Sequence, residues 1–410
     1  MRIVCNGGGP AGLYFAICAK RRDAGHDITV LERDAEGATY GWGIIYWDNL
    51  LDLLFHNDME SAREIRAASS LFTEQEIQLR GRASYVAGYG FTITRTRLLE
   101  ILIARARALG VNVRHNCDES ETARLVEGAD LVVAADGAGS TLRRTYEAEF
   151  GTRLAYGSNR YIWLGSTRVF ERFTFAFERT EHGYLWLHGY PSSADVSTCI
   201  LECTDETWHA CGFDRLNDTD GLRLLEKVFH EQLDGHGLIS DSRGEPARWL
   251  QFREVTNEIW YHRNLVLLGD AAHTTHFTIG SGTRLAIIDA AALAQCLYDQ
   301  PDTSSALAAY DQRRRDAMRQ VQAGARTSMA WFENVERYLD RDVNEVAYGL
   351  CSRLGQEPPW RYQQYRLTQA TAVRNAQRRY ESFRRLYRAC RRGEYSMAAT
   401  APVPSGGQTR

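Results

Sequence analysis

A strand, a glycine-rich loop and a helix open the chain, and this order restricts the fold more than any other feature. Apolar residues 2–6 predict a buried strand, and residues 13–22 predict a helix. Between them Gly7, Gly9 and Gly12 follow the spacing G-x-G-x-x-G. In this setting the glycines allow a tight turn, close approach of the backbone to a pyrophosphate, and packing of the helix on the strand. The segment therefore predicts a dinucleotide-binding unit.

A second predicted strand, residues 27–31, ends in an acidic residue. Glu32 lies 20 residues beyond the last glycine of the loop, where a carboxylate can accept hydrogen bonds from ribose hydroxyls. The free N–H groups and the dipole at the helix start favour phosphate charge. The cofactor-binding residues predicted in this segment are Gly7, Gly9, Pro10, Ala11, Gly12, Glu32 and Arg33.

A second ligand-binding turn is predicted near residue 270. Residues 264–268 indicate a short buried strand, and the Ala- and Leu-rich residues 284–297 indicate a helix. Glycines in the intervening loop let a flat or anionic ligand lie close to the backbone. An ordinary strand-to-helix connection is the alternative. The cofactor-binding residues predicted here are Gly269, Asp270, Gly280, Gly282 and Thr283.

Two further positions fit the same kind of site. An apolar strand around residues 131–135 ends in Asp136 and a glycine, as the other strands do. Arg95 opens an amphipathic helix that extends to about residue 109, and a guanidinium there is placed to reach a pyrophosphate. For Arg95 the alternative is a solvated side chain.

The composition restricts the class of protein. With 410 residues, 44% hydrophobic and 25% charged, the chain is long enough for two domains and typical of soluble globular proteins. A net charge of −3 gives no overall field to recruit nucleic acid, and no run of about 18 apolar residues is available to span a membrane. Nine scattered cysteines favour free thiols. We expect a cytoplasmic protein that binds no nucleic acid, membrane or metal, and leave its oligomeric state open.

Together these motifs resemble the FAD-dependent aromatic hydroxylases of the p-hydroxybenzoate hydroxylase fold. His276-Phe277 stands where the wider family usually has two prolines. This resembles a narrower branch that includes the salicylyl-CoA 5-hydroxylases, the flavin domain of anthraniloyl-CoA monooxygenases and a hydroxylase of violacein synthesis. The residues that carry the resemblance are, in chain order, Gly7, Gly9, Gly12, Glu32, Arg95, Leu98, Asp136, Gly137, Gly269, Asp270, Ala271, Ala272 and His273.

The resemblance implies an α/β fold, in which a Rossmann-type FAD-binding domain carries an inserted antiparallel β-sheet substrate domain and a helical C-terminal region. The FAD-binding part is expected at residues 1–150 and 256–300, the substrate sheet at 151–255, and the helices at 301–397. Residues 398–410, which contain Pro, Ser and Gly, are expected to be disordered.

The resemblance also implies a reaction. NADH or NADPH reduces FAD, and the reduced flavin uses O2 to hydroxylate an aromatic ring para to a hydroxyl or amine group. The sequence has no second dinucleotide motif, so the nicotinamide is expected to bind transiently. An aryl-CoA thioester, of the salicylyl-CoA to gentisyl-CoA type, is the expected substrate. Two alternatives stay open: an FAD hydroxylase of a free indole or aromatic amine, and a non-catalytic flavin-binding protein.

Three histidines are candidates for a base that removes a proton from a ring hydroxyl, because histidine titrates near neutral pH. His276 ranks first, since its loop is expected to face the flavin, and His188 and His273 follow. A hydrogen-bonded structural histidine is the alternative in each case. The aromatic candidates for the substrate site, for which core packing is an equal explanation, are Trp163, Trp186 and Phe277.

Basic residues are concentrated near the C-terminus. Residues 361–392 contain ten arginines and one acid, Glu381, although the whole chain is slightly acidic. Arginine binds phosphate oxygens bidentately, and CoA carries a pyrophosphate and a 3′-phosphate. We therefore predict that Arg374, Arg378 and Arg379 bind CoA. The alternatives are a solvated helix face, or a helix paired with an acidic surface elsewhere in the protein.

Overall fold

The computed structural model describes residues 1–38, 41–241, 246–355 and 358–394. The fold is α/β, with a Rossmann-type sheet, a second large sheet and a helical C-terminal region, as the sequence predicts. The predicted disorder of residues 398–410 lies outside the described residues. The helices are α1 (Pro10–Arg22), α2 (Asp48–Asn57), α3 (Met59–Ala67), α4 (Arg95–Ala108), α5 (Glu119–Glu127), α6 (Thr141–Thr145), α7 (Glu147–Phe150), α8 (Asp205–Ala210), α9 (Asp218–Val228), α10 (His230–Leu233), α11 (Gly282–Asp299), α12 (Thr303–Glu333), α13 (Val343–Ser352), α14 (Pro359–Thr368) and α15 (Thr371–Arg391).

The strands fall into two sheets. They are β1 (Arg2–Asn6), β2 (Asp27–Leu31), β3 (Gly43–Tyr46), β4 (Ser70–Leu79), β5 (Arg82–Thr94), β6 (Asn112–Arg114), β7 (Leu131–Ala134), β8 (Arg153–Ser166), β9 (Phe173–Thr180), β10 (Gly183–Pro191), β11 (Ser197–Cys203), β12 (Leu238–Ile239), β13 (Leu250–Thr256), β14 (Tyr261–His262) and β15 (Leu265–Leu267).

The first sheet has six strands in the order β14-β15-β7-β1-β2-β6. All neighbouring pairs are parallel except β14 with β15. The strand β1 lies inside the sheet and its Ile3, Val4 and Cys5 are buried, which agrees with the continuous apolar run expected of a strand covered on both faces. Such a sheet places the ends of its parallel strands along one edge.

The second sheet has nine strands, in the order β12-β8-β11-β10-β9-β4-β5-β3 with β13 also paired to β8. Its pairs are antiparallel except β4 with β9. Three of its strands, β3 to β5, come from residues 43–94, inside the segment that we assigned to FAD binding. The two sheets are therefore more interleaved along the chain than the predicted boundaries imply.

Helices α1 and α11 pack closely against one another beside the first sheet. Every residue of α1 from Pro10 to Ala19 is buried, and the buried face of α11 is rich in alanine, which lets the two backbones approach. This contact brings the first glycine loop and the second predicted turn to the same place.

Within the described residues, the C-terminal region adds the four helices α12 to α15. The end of α12 inserts Phe332 into a core with Phe175 and Trp186 of the second sheet. Helices α13 and α15 pack on β4 and β5. Among the described residues, no helix combines the length and apolarity needed to cross a lipid bilayer.

Candidate functional site

Four predicted cofactor residues meet at one edge of the first sheet. The parallel strands β1, β2, β7 and β15 all end at this edge. Within three residues of those ends the chain places Gly7, Glu32, Asp136 and Asp270. In open α/β sheets ligands bind outside the carboxyl ends of the strands, so the tertiary structure joins motifs that are far apart in the sequence.

The three glycines of the first loop have different roles. Gly7 has a φ of 121°, and a Cβ there would lie 2.3 Å from the carbonyl oxygen of Ala135. A Cβ on Gly12 would lie 2.2 Å from the carbonyl oxygen of Gly7, whereas a Cβ on Gly9 would meet no atom within 4 Å. Gly7 and Gly12 are thus required by the turn itself, and the space in front of Gly9 is open for a ligand.

A cavity of about 380 Å³ opens beside this loop. The Glu32 carboxylate accepts a hydrogen bond from the backbone N–H of Gly8 at 2.9 Å, which turns it toward the loop. Arg107 borders the cavity and forms a bidentate pair with Glu36 at 2.7 and 2.9 Å. The residues that line the cavity include Gly8, Gly9, Glu32, Arg95, Arg107 and His115.

Two side chains of the cavity carry buried nitrogen atoms without a partner. Nε of Arg95 and both ring nitrogens of His115 make no hydrogen bond to the described residues. Burial lowers the pKa of Arg95, although the charges of Asp270 and Glu32 oppose this shift. Unpaired buried groups are rare in proteins, and a ligand bound in this cavity can supply the missing partners. No sequence pattern indicated His115, a lone histidine after the short edge strand β6.

The second turn touches the first through Gly269. Its φ is 61°, and a Cβ there would lie 3.1 Å from the Cβ atoms of both Ala11 in α1 and Ala286 in α11. The next residue, Asp270, is open to the cleft. The protein that surrounds it nevertheless raises the pKa of its carboxyl through desolvation.

The start of α11 is also available to a ligand. Gly280 adopts a φ of 59°, and a Cβ there would lie 3.1 Å from the ring of Trp47. No side chain caps the helix at Ser281, and a Cβ on Gly282 would meet no atom within 4 Å. The first N–H groups of the helix are therefore free to bind an electron-rich or anionic group. The two turns together can hold a dinucleotide.

His273 is bound away from the cleft. Its Nε2 lies 2.6 Å from Oδ2 of Asp289 in α11, and Oδ1 of the same carboxylate accepts from Nε of Arg314 in α12 at 2.6 Å. All three residues are buried. His273 thus ties the turn to two helices, which is the structural alternative that the sequence left open.

Glu202 contacts two of the predicted site residues, Trp186 and His188. The sequence did not indicate Glu202 itself. This buried carboxylate accepts from Nδ2 of Asn159 at 2.8 Å and from Nε1 of Trp186 at 2.9 Å, and lies 3.3 Å from Nε2 of His188. Desolvation acts to raise the pKa of Glu202, but His188, His276 and Asn159 together outweigh it and the pKa is lowered.

Trp186 therefore does not line a substrate site. Its side chain is fully buried in the core that includes Phe332, and its N–H is used by Glu202. The prediction for Trp186 is wrong because an aromatic residue on an alternating strand looks the same in a sequence whether it faces a core or a pocket. His188 is buried beside it, with its ring 5.8 Å from that of Phe277.

His276 anchors the loop that precedes α11. Its Nδ1 lies 2.8 Å from Oγ1 of Thr278, which lies 2.8 Å from Oγ of Ser328. Arg353 donates to that Ser328 oxygen at 2.7 Å and to the carbonyl oxygen of Thr278 at 2.8 Å. Desolvation lowers the pKa of His276 to about 4, so its imidazole is neutral at pH 7.

An aromatic cluster joins this loop to the second sheet. Phe277 packs on Tyr161, with ring centroids 4.6 Å apart. Nε1 of Trp163 and Nε1 of the neighbouring Trp42 are buried without a hydrogen-bond partner among the described residues. The members of this aromatic cluster are Ile45, Trp47, Phe72, Tyr161, Trp163, Phe173, Tyr190, Ile200 and Phe277.

The predicted phosphate-binding arginines of α15 differ in their surroundings. The guanidinium of Arg374 lies over the ring of Tyr85 at 4.0 Å, and its Nε is 3.5 Å from a carboxylate oxygen of the buried Glu74. Arg374 is therefore paired with an acidic group of the protein. The side chains of Arg378 and Arg379 form no hydrogen bond or ion pair with described residues, and Arg379 is exposed.

Arg33 does not line the cavity. Its side chain is 76% exposed and its Nε lies 3.7 Å from a carboxylate oxygen of Asp34. Asp136, in contrast, caps the start of α6. It accepts from the N–H of Thr141 at 2.8 Å and from Nδ2 of Asn6 at 3.2 Å, and its other carboxylate oxygen is buried without a partner.

Comparisons with known proteins agree with this geometry. Salicyloyl-CoA 5-hydroxylase of Streptomyces sp is 35% identical over 349 residues, which cover 83% of this chain and 66% of that longer relative. The 3-hydroxy-4-methyl-anthranilyl-[aryl-carrier protein] 5-monooxygenase of Streptosporangium sibiricum is 36% identical over 357 residues, which cover 87% of this chain and 95% of the relative.

Solved structures share the fold. The tetrameric form of 2-methyl-3-hydroxypyridine-5-carboxylic acid oxygenase aligns with a TM-score of 0.64 at 21% identity, over 81% of this chain and 92% of the other. PqsL of P. aeruginosa aligns with a TM-score of 0.65 at 18% identity, over 83% and 98%. Residues 2–325 match the FAD binding domain family. With the two relatives above 30% identity, this match shows that the chain belongs to the family of FAD-dependent aromatic monooxygenases.

Proposed function

We propose that this protein hydroxylates an aromatic ring para to a hydroxyl or amine group, while the ring is carried as a thioester. The main support is the place of Phe277: the loop of the second cofactor turn packs directly on the aromatic cluster of the second sheet. A flat substrate held at this junction would lie between the cofactor and the sheet. Both relatives above 30% identity have names that specify an aromatic acyl group on a carrier.

In this proposal FAD occupies the cleft at the edge of the first sheet. The residues fit it, because the gap at Gly9 admits a pyrophosphate, Arg95 lines the same cavity with an unpaired Nε, and the Glu32 carboxylate is placed for a ribose. Asp270 would hold the ribityl chain. Bound FAD supplies electron transfer from NADH or NADPH and the activation of O2. The uncapped start of α11, with Gly280, Gly282 and Thr283, would face the flavin ring.

The aromatic cluster would orient the substrate. The two unpaired indole N–H groups, of Trp163 and Trp42, can donate to an oxygen of the substrate. Burial raises the pKa of Tyr161 to about 12, so its phenol stays protonated and can donate as well. Packed side chains here exclude water from the reacting ring, which limits side reactions.

His276 is better suited to position the loop than to accept a proton. With a pKa of about 4 its imidazole is a weak base, and taking a proton from a phenol of pKa about 10 would cost roughly 8 kcal/mol. Its ring stacks on Phe277 at 4.3 Å, and its Nδ1 pairs with Thr278. We therefore propose that His276 fixes the orientation of Phe277.

Two carriers fit the thioester. CoA would need phosphate contacts, and of the three predicted arginines only Arg378 and Arg379 are free of partners among the described residues. A carrier protein is the second candidate, supported by the relative from Streptosporangium sibiricum, which this chain covers almost completely.

The test is a substrate screen with the purified yellow protein. NADH and NADPH oxidation is measured with salicyloyl-CoA, the same acyl group on pantetheine, free salicylate and free indole. We expect stimulation by the thioesters with a matching amount of hydroxylated product, determined by mass spectrometry. Equal stimulation by a free acid or by indole contradicts the thioester proposal, and a yellow protein without hydroxylated product from any of them would support a flavin-binding protein.

A further inference from the structure

Large apolar side chains are exposed on the last two helices. On α14 and α15 they expose between 41% and 69% of their surface, and they make up seven of the sixteen such residues in the described chain. Exposed apolar groups that cluster in this way mark an interaction surface. The seven residues are Trp360, Leu367, Val373, Tyr380, Phe383, Leu386 and Tyr387.

On α15 these side chains form one face. The apolar residues repeat at intervals of three and four, which places them on one side of a helix. The opposite side packs on β4 and β5, where Arg374 pairs with Glu74 of β4. Directly after α15, Arg392 pairs with Asp48 of α2. The repeating positions of this exposed face are Val373, Ala376, Tyr380, Phe383 and Tyr387.

The exposed face is basic as well as apolar. Arg379 and Arg391 lie beside the aromatic residues and are exposed. The one acid of α15, Glu381, has only 14% of its side chain accessible and pairs with Arg384 at 3.0 Å. A second α15 would bring arginines against arginines, which is repulsive. The face therefore suits a partner surface with apolar residues surrounded by carboxylates.

The position of α15 connects this face with the proposed substrate site. Arg392 donates to the Asp48 carboxylate at 2.7 Å, and Asp48 directly follows Trp47 of the aromatic cluster. Both side chains of this ion pair are at most 5% exposed. A partner bound to α15 would thus be held close to the aromatic cluster, because the end of this helix is attached to the residue next to Trp47.

We propose that the exposed face of α15 docks an acidic carrier protein that presents the aromatic substrate as a thioester. This inference rests on the proposed function, and it selects a carrier protein rather than CoA as the carrier of the thioester. The phosphopantetheine arm of the carrier would reach the aromatic cluster while the protein body stays on α15.

Direct binding tests the surface without turnover. The probe is the aryl carrier protein that serves the Streptosporangium sibiricum relative, with its phosphopantetheine arm but no aryl group, titrated by calorimetry at low salt. We expect the double variant Phe383→Glu, Arg391→Glu to bind at least tenfold more weakly than the parent. The matched control is Tyr298→Glu, which replaces an exposed aromatic residue of α11 by glutamate, as Phe383→Glu does on α15, and should leave binding unchanged.

Turnover then separates docking from chemistry. With the aryl-loaded carrier, the double variant should show a KM at least tenfold higher, whereas kcat/KM for the aryl-pantetheine thioester should not change. No binding by the parent protein, or equal binding by the double variant, overturns the proposal. The proposal is also overturned if the two substitutions leave carrier binding unchanged and weaken only self-association of the protein, or only its binding to phosphatidylserine vesicles. Carrier binding that depends on this face, without hydroxylation of any thioester, supports the docking surface and contradicts the proposed function.

Discussion

The first glycine loop and helix α15 were both predicted to bind phosphate, yet they use their binding groups in opposite ways. In the loop, the space at Gly9 is open and Nε of Arg95 has no partner. Arg374 of α15 and Arg392, directly after it, are paired with buried carboxylates of the same chain. The loop therefore keeps its capacity for a ligand, whereas these two arginines attach α15 to β4 and α2.

The difference follows from the reach of the groups involved. Backbone N–H groups at a helix start are fixed by the turn that carries them and have few competing partners. An arginine side chain is long and pairs with any carboxylate within its range. Asp48, the partner of Arg392, is 344 residues away in sequence, so local sequence could not reveal that the arginine is engaged.

Two glycine variants should give the largest effects. Gly12→Val places a Cβ 2.2 Å from a backbone oxygen, so we expect it to prevent stable folding. Gly9→Val meets no protein atom at its Cβ, so it should fold but purify colourless. Thermal unfolding and FAD absorbance distinguish the two results. A folded Gly9→Val protein with a full complement of FAD contradicts the assignment of this loop.

The next largest effect is expected at the attachment of α15. Arg392→Ala removes the nearer of the two arginines that pair with the buried Asp48 carboxylate, the other being Arg388, and should lower the free energy of unfolding by up to about 3–5 kcal/mol, the range for broken buried pairs. The matched control is Arg379→Ala, an exposed arginine without a partner, for which we expect a change within about 0.5 kcal/mol. Urea unfolding measures both. Equal effects would mean that Arg392 does not hold the helix.

A pH-dependent effect is expected at the second turn. Burial lowers the pKa of His276 from 6.5 to about 4, so the unfolded chain binds a proton there before the folded protein does. The resulting stabilisation is complete above pH 6.5 and is lost as the pH falls to about 4, with an upper limit of about 3 kcal/mol. His276→Gln should have a smaller decrease in unfolding free energy over this range than the parent. Parallel pH profiles would contradict the neutral buried state.

Smaller losses of FAD affinity are expected at two single side chains of the proposed FAD site. Glu32→Ala and Asp270→Ala should each weaken FAD binding by on the order of 1–3 kcal/mol, the usual cost of a lost hydrogen bond to a charged group. The unfolding of the FAD-free proteins should stay close to that of the parent. Fluorescence titration with FAD checks this, and unchanged affinity in either variant removes that residue from the cofactor site.

The smallest effect tests the arginines of α15 directly. If CoA binds there, Arg378→Ala with Arg379→Ala should raise the KM for an aryl-CoA several-fold at low salt, where screening is weakest. Arg374→Ala should instead reduce stability and leave this KM unchanged, because Arg374 is bound to Glu74 and Tyr85. A higher KM only in the Arg374 variant would reverse this distinction.

The sequence by itself determined the features that depend on neighbouring residues. Glycines at the first turn are required by backbone geometry within that turn, and Glu32, Asp136 and Asp270 follow their strands closely. Strand periodicity and turn chemistry act over a few residues, which is why the α/β fold and the cofactor cleft could be predicted. His115 was missed because its relevance depends on the cavity around it.

The tertiary structure alone decided which polar groups have partners. It assigned His273 to Asp289, His188 and Trp186 to Glu202, and Arg374 to Glu74. It also decided which side of α15 faces the sheet and which aromatic residues stay exposed. The physical reason is that a side chain's charge and exposure depend on groups within a few ångströms in space. Those groups come from strands and helices that are up to hundreds of residues away in the sequence.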